Sequence, residues 1–267
     1  MIARTAVELR ELKRCFGDLV AVNGINLVIP AGMIYGLLGT NGAGKTTVIK
    51  MLTTLLPPTS GTALVAGYDI VKEPFDVRRH IGYVSQMLSA DGELSGYENL
   101  LISAKLYGLP RTERQQRIHQ ALRFMELESV ANRLVSHYSG GMIRRLEIAQ
   151  AMLHRPPVLF LDEPTVGLDP AARHGVWQRI RDLRDEFGTT ILMTTHDMDE
   201  ADQLCESLDF MHQGNLVAQG KPATLKSQHG EHATLDDVFI DLTGASIIER
   251  EDYRNVAQLR QTFKRLE

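Results

Sequence analysis

A chain of 267 residues, 43% of them apolar, can bury a substantial core, and its length suits one α/β domain with at most a small appendage. Its formal charge of −4 weighs against non-specific nucleic-acid binding, and its two cysteines, Cys15 and Cys205, form no CxxC pair, which weighs against a disulfide framework or structural zinc. A charged start and the lack of any apolar run near about 20 residues lead us to expect no secretory leader, no membrane-spanning helix and a reducing, cytoplasmic setting.

In chain order, Met33 to Leu38 is the first buried-strand run. The spacing then predicts a helix from about Gly44 to Leu55, stopped by Pro57 and Pro58. His80 to Val84 reads as a second strand, with Gln86 just past its end. Between about Gly92 and Leu153 helical periodicity takes over, with Ile118, Ala121, Leu122 and Met125 behind a Thr112/Gln115 capping box. We expect this stretch to be an inserted helical subdomain. Val158 to Leu161 and Thr189 to Met193 are further strands, separated by a helix that begins behind Asp169 with Pro170 first and ends at Gly188. Such alternation implies a largely parallel sheet flanked by helices. After Gly220, Thr234 to Leu242 reads as a short capped helix stopped by Gly244, and Val256, Leu259, Phe263 and Leu266 recur at helical spacing. The reading divides the chain into a main domain, 1–220, and a helical extension, 221–267.

Gly39-Thr40-Asn41-Gly42-Ala43-Gly44-Lys45-Thr46 satisfies GxxxxGK[ST] between a strand and a helix. Its glycines let backbone N–H groups converge on phosphate oxygens, and the following helix turns its positive end to the same anion. Lys45 can reach terminal phosphates, the Thr46 hydroxyl can join a Mg²⁺ shell, and Thr47 completes the phosphate-binding set. The cradle by itself leaves kinase, GTPase and ATPase open. Asp162 and Glu163 end a buried strand, at the sheet edge where α/β proteins bind ligands. Asp162 suits the metal shell; Glu163 suits orienting or deprotonating a water. His196 and Gln86 end other strands and can reach the same edge, His196 toward phosphate or water and Gln86 toward metal or water.

Tyr138-Ser139-Gly140-Gly141-Met142 precedes a helical stretch, so a hydroxyl and backbone donors stand at a helix start, which by itself reads as a plain helix cap or as a second phosphate-binding surface. Taken in order, the cradle, Gln86, Ser139-Gly140-Gly141, Asp162-Glu163, Gly167-Leu168-Asp169 and His196 together resemble the ABC transporter ATPase family, over roughly Val7 to Lys226. The resemblance implies a P-loop NTPase (RecA-like) α/β core with a mainly parallel sheet, an N-terminal antiparallel β portion and the inserted helical subdomain. It implies an ATP- and Mg²⁺-dependent ATPase with Glu163 and His196 catalytic and Phe16 stacking on the nucleotide. It also implies a head-to-tail pair with a second copy or a homologous subunit, in which Ser139, Gly140, Gly141 and Met142 close over the partner's ATP and Asp169 couples the two sites. Met142 and Thr40 depart from the family's commonest Gln and Pro without removing an essential donor or acid. The Tyr-Ser-Gly-Gly-Met form, Leu106-Tyr107-Gly108-Leu109-Pro110 and Leu235-Asp236-Asp237-Val238-Phe239 look like the drug-resistance-type ATPases of type-2 exporters. That likeness implies efflux through a separate multispanning permease, touched by the segment holding Glu93, Tyr97, Glu98 and Asn99, at the cytoplasmic face of the inner (plasma) membrane as a peripheral subunit. Two other readings stay open: a soluble ABC-type ATPase of translation, repair or cluster assembly, and a nucleotide-binding module that does not hydrolyse.

Overall fold

The computed structural model describes residues 5–230 and 232–244. The apolar stripe at Val256, Leu259, Phe263 and Leu266 lies outside the described residues. The chain opens with β1 (Thr5–Phe16) and β2 (Leu19–Pro30), an antiparallel pair turned at Gly17 and Asp18. Then come β3 (Ile34–Leu38), α1 (Lys45–Leu52), β4 (Ser60–Val65), β5 (Tyr68–Asp69), α2 (Pro74–Arg79) and β6 (Ile81–Val84). α3 (Gly96–Leu106), α4 (Arg111–Phe124) and α5 (Gly140–Met152) follow. The remainder is β7 (Val158–Asp162), α6 (Pro170–Phe187), β8 (Thr190–Thr195), α7 (Met198–Leu204), β9 (Ser207–His212), β10 (Asn215–Gly220), α8 (Pro222–Ser227) and α9 (Leu235–Thr243).

One sheet runs β10-β9-β3-β8-β7-β6, parallel except for the β9–β10 pair, and a smaller antiparallel sheet runs β2-β1-β4-β5. β3, β7 and β8 are buried along their whole length, which is why they read as unbroken apolar runs. The period of two still sorts their side chains. Val158 and Phe160 join α1 and the antiparallel sheet in one apolar cluster, while Leu159 and Leu161 join α5 and α6 in another. Each such side chain, fully withdrawn from water, stabilises the fold by about 1.5–3 kcal/mol. Leu225, Leu235, Val238 and Phe239 of α8 and α9 belong to that second cluster, so the described part of the extension packs on the body.

Register aligns the carboxyl ends of four strands: Leu38 pairs with Thr195, Thr194 with Asp162, and Leu161 with Val84. The loops leaving β3, β8, β7 and β6 therefore emerge along one edge. Among the described residues no helix is long and apolar enough to cross a membrane.

Two expected helix boundaries shift. α1 ends at Leu52, ahead of the prolines, because Thr54 turns left-handed (φ 60) and the N–H groups of Leu55 and Leu56 donate back to the Lys50 carbonyl at 2.9 and 3.0 Å. α4 starts at Arg111 with Pro110 as its uncapped N-cap, so Thr112 lies inside the helix and the Thr112/Gln115 box does not form. The fixed φ of Pro110 (−56) starts the helix earlier than a threonine cap would. The expected α6 forms as read, with Asp169 capping, Pro170 first and Gly188 closing it. Thr234 caps α9, and Gly244 ends it.

Candidate functional site

The cradle hangs between β3 and α1. Two of its glycines have a steric reason to be glycine: a Cβ at Gly39 (φ 156) would lie 2.2 Å from the Met211 carbonyl oxygen, and one at Gly44 (φ 108) 2.4 Å from that of Ala21. At these two points the loop passes against β9 and β2 with no room for a Cβ. Gly44 is the N-cap of α1 and makes no side-chain cap. The N–H groups of Lys45, Thr46 and Thr47, in the first helical turn, have no intrahelical acceptor and carry the positive end of the dipole.

Lys45 is buried, 5% exposed. Its Nζ donates to the carbonyls of Gly39 (2.7 Å) and Thr40 (3.2 Å) and pairs with Glu163 Oε1 at 3.3 Å. Burial lowers its pKa, and the charges of Glu163 and Asp162 only partly restore it. The Thr46 hydroxyl donates to Asp162 Oδ1 at 3.0 Å, across from β7. Asp162 is 1% exposed, accepts a second hydroxyl from Thr194 at 2.6 Å, and among the described residues has no ion-pair partner.

Glu163 leaves the strand at a left-handed backbone angle, φ 52. Its N–H donates to both the carbonyl and the hydroxyl oxygen of Thr194, each at 3.1 Å, which pins the turn. That kink, and not strand alternation, aims the two acids differently: Asp162 toward Thr46, Glu163 toward Lys45 and His196. Non-glycine residues at positive φ cost energy and persist where neighbours enforce them, often at functional sites. The Nδ1 of His196 lies 2.8 Å from Glu163 Oε2. This hydrogen bond raises the imidazole pKa against the effect of burial. For Glu163, burial pushes upward, but the His196 hydrogen bond and the Lys45 charge outweigh it, and its pKa falls below the usual value.

Gln86 is exposed beyond β6, and its carbonyl accepts from Arg144 Nη2 at 2.9 Å. Phe16 is 46% exposed at the end of β1, with the Arg14 guanidinium 4.6 Å over its ring, so it is a surface aromatic and not a core residue. Ser139 and Gly140 are exposed at the start of α5, and the Ser139 hydroxyl accepts from the Met142 N–H at 3.3 Å. Gly141 lets α5 close on Ala172, since a Cβ there would lie 2.8 Å from the Ala172 Cβ. Met142 packs partly buried against the core. Asp169 is exposed and accepts from the Ala172 N–H at 3.0 Å.

The structure gathers Lys45, Thr46, Asp162, Glu163 and His196 into one hydrogen-bonded cluster, whereas the contacts of Ser139, Gly140 and Gly141 run to Met142, Leu168 and Ala172. Sequence reading missed Thr194, whose hydroxyl donates to the Asp162 carboxylate and accepts from the Glu163 N–H. Its signal was present as a polar residue at the end of an apolar strand. It also missed the buried Glu200, which accepts from Thr165 (2.5 Å) and Trp177 (2.9 Å) and so ties α7 to the loop behind Glu163. Two residues of the expected permease contact serve their own chain: Asn99 is 4% exposed and holds Asp91, and Glu98 completes the cap of α3 with Ser95.

The family described as ABC transporter matches residues 22–166. The chain is 44% identical over 227 residues to the daunorubicin/doxorubicin resistance ATP-binding protein DrrA of Streptomyces peucetius, covering 85% of this chain and 68% of that protein. It is 43% identical over 244 residues to the Nod factor export ATP-binding protein I of Sinorhizobium fredii, covering 91% and 67% respectively. The solved dimeric ATP-binding cassette in a post-hydrolysis state with ADP and Pi has a TM-score of 0.72 at 27% identity, over 80% of this chain and 98% of that one.

Proposed function

Because the chain belongs to the ABC transporter family as an ATP-binding subunit, we propose that its sheet-edge cluster binds and hydrolyses ATP and that a pair of such subunits drives export through a separate membrane permease. The single observation that carries this is the convergence of Lys45, Glu163 and His196, at 3.3 and 2.8 Å, beside an uncapped helix start.

The donor set fits Mg²⁺. Thr46 and Asp162 offer a hydroxyl and a carboxylate oxygen 3.0 Å apart, and a buried carboxylate without an ion-pair partner among the described residues favours a cation. Mg²⁺ typically takes one or two protein oxygens plus water and phosphate, so a single carboxylate suffices. When bound it neutralises developing phosphate charge.

The N–H groups of the cradle and Lys45 hold the phosphates. A γ-phosphate recruits Lys45 from the Gly39 and Thr40 carbonyls and from Glu163. Relieved of that cation, Glu163 becomes more basic, so the acid gains strength as a base when substrate arrives. It then orients a water whose oxygen attacks the γ-phosphorus as the bond to the β-phosphate oxygen breaks. The water's proton passes to Glu163, and His196 steadies that carboxylate at Oε2. Phe16, on the exposed end of β1, stacks on the base. Gln86 senses the metal or the water.

Pairing is head to tail: Ser139, Gly140, Gly141 and Met142 of one subunit close over the other's ATP, and Asp169 links the two sites. A γ-phosphate gripped from both sides favours the closed pair, and its loss removes that bias. The permease touches the segment after Gln86, which holds Glu93 and Tyr97 and where Met87 (81%) and Leu88 (54%) are exposed apolar side chains. The subunit then sits peripherally on the cytoplasmic face of the membrane. Drug resistance and Nod factor export, in the names of two relatives, support efflux and leave the cargo to the permease.

The test is the solution mass of Glu163→Gln with ATP and Mg²⁺. Doubling with ATP and reversal with ADP are expected; a monomer under both conditions would sink the pairing. Co-purification with a multispanning protein is expected, and capture on ribosomes or DNA instead would favour a soluble role.

A further inference from the structure

α5 carries a charged pair that nucleotide chemistry does not use. Arg144 and Glu147 side chains are each 2% exposed and pair through Nη1 and Oε2 at 3.1 Å. A helix facing water would leave both in solvent; here they grip another segment. Arg144 donates from Nη1 to the Ser85 carbonyl at 2.7 Å and from Nη2 to the Gln86 carbonyl at 2.9 Å. Glu147 Oε1 accepts from the Ser89 N–H, from the Ser89 hydroxyl at 3.1 Å and from the Ala90 N–H at 3.3 Å. The loop from Ser85 to Ala90 is thus held at both ends by residues one turn apart on a single helix. Meanwhile the Gln86 and Met87 side chains stay exposed.

Burying two ions is costly even when they pair, and a pair kept inside a protein need not add stability over apolar residues of the same size. The fork of Arg144 matches two successive carbonyls, and such geometry fixes orientation as well as position. We propose that Arg144 and Glu147 are positioning residues that set Gln86 at the nucleotide edge and tie it to the helix bearing Ser139. Because α5 is one rigid element, a displacement of Gln86 is felt at the Ser139 end, five residues from Arg144. The proposal rests on the assignment of Gln86 made above.

Two variants test it in the full chain. Arg144→Met with Glu147→Leu removes both charges at similar volume, leaving no lone buried ion. Arg144→Lys keeps the charge beside Glu147 but loses the two-donor fork. Amide hydrogen exchange at Ser89 and Ala90 should quicken about tenfold or more in the double variant and stay slow in Arg144→Lys. The Mg²⁺ concentration for half-maximal ATP turnover should rise about fivefold in both, the scale of one lost hydrogen bond. Adding Gln86→Ala to the double variant should do no more than Gln86→Ala alone, since both act through one group. Additive effects, or faster exchange with native Mg²⁺ dependence, would overturn the positioning role. If Gln86→Ala itself leaves that dependence native, the assignment of Gln86 fails. The clamp is then decided by exchange alone, upheld if Ser89 and Ala90 quicken and overturned if they do not.

Discussion

His196 and Glu163 stand on neighbouring strands' ends and meet at 2.8 Å between Nδ1 and Oε2, because Glu163 turns out of β7 at a positive φ toward the end of β8. The hydrogen bond raises the imidazole pKa above its ordinary 6.5, and despite burial the carboxyl falls below 4.5. The raised histidine contributes stability fully below 6.5, and that contribution fades as pH climbs through its folded value. The lowered carboxyl contributes above 4.5 and fades as pH falls through its folded value. The pair therefore stabilises most between those limits. In Glu163→Gln the His196 pKa, read from ring proton shifts, should drop, and the stability gap to wild type should be largest in mildly acidic buffer. An unchanged histidine titration would contradict the coupling.

The same substitution removes the carboxylate proposed as proton acceptor and leaves the residues of the cradle unchanged. Turnover should fall about a hundredfold or more while ATP affinity stays close to native. Single-turnover phosphate release and equilibrium nucleotide binding separate the two, and near-native release would exclude Glu163 as the acceptor.

The glycines of the cradle should not respond alike. A Cβ at Gly42 (φ 83) would meet nothing within 4 Å, so Gly42→Ala carries backbone strain alone. That strain is about 1–2 kcal/mol, or roughly 2–8 °C of melting temperature. Gly39→Ala and Gly44→Ala add collisions with the Met211 and Ala21 carbonyls and should melt lower still, with nucleotide affinity reduced. Equal melting points for the three would refute the packing argument.

At Thr46 the hydroxyl, not the methyl, is at issue. Thr46→Ser keeps the oxygen that donates to Asp162 and should bind Mg²⁺ with ATP near normally. Thr46→Ala should weaken Mg²⁺ binding about tenfold, as expected for one lost ligand or charged hydrogen bond. Titration with Mn²⁺ followed by paramagnetic resonance reads this directly, and equal affinities in the two variants would remove Thr46 from the metal shell.

Phe16 is exposed enough to be replaced without opening the core. Phe16→Ala should weaken ATP about two- to tenfold, the range for one aromatic stack, with an unchanged melting temperature. Inorganic triphosphate, which has no base, should bind both forms equally; a matching loss for triphosphate would assign Phe16 another role.

The parallel sheet and cradle were legible because β3, β7 and β8 are buried on both faces and leave unbroken apolar runs. β1 and β2 left no such trace. Leu9 and Leu12 are both buried although three residues apart, because the register shifts between them and Glu11 turns left-handed, which breaks the alternation a strand should have. The acids of β7 could be placed at the edge, but their divergence depends on the φ of Glu163, which no residue pattern announces. Arg144 and Glu147 were illegible for the opposite reason: on a helix, a charge pair at i and i+3 ordinarily signifies a wet face.

The Ser139 hydroxyl spends a lone pair on the Met142 N–H, and among the described residues no acceptor takes its own hydrogen. An incoming oxyanion can take that hydrogen by a swivel of one torsion. In the proposed pairing the helix therefore needs neither to uncoil nor to re-form for Ser139 to take up and release a partner's phosphate.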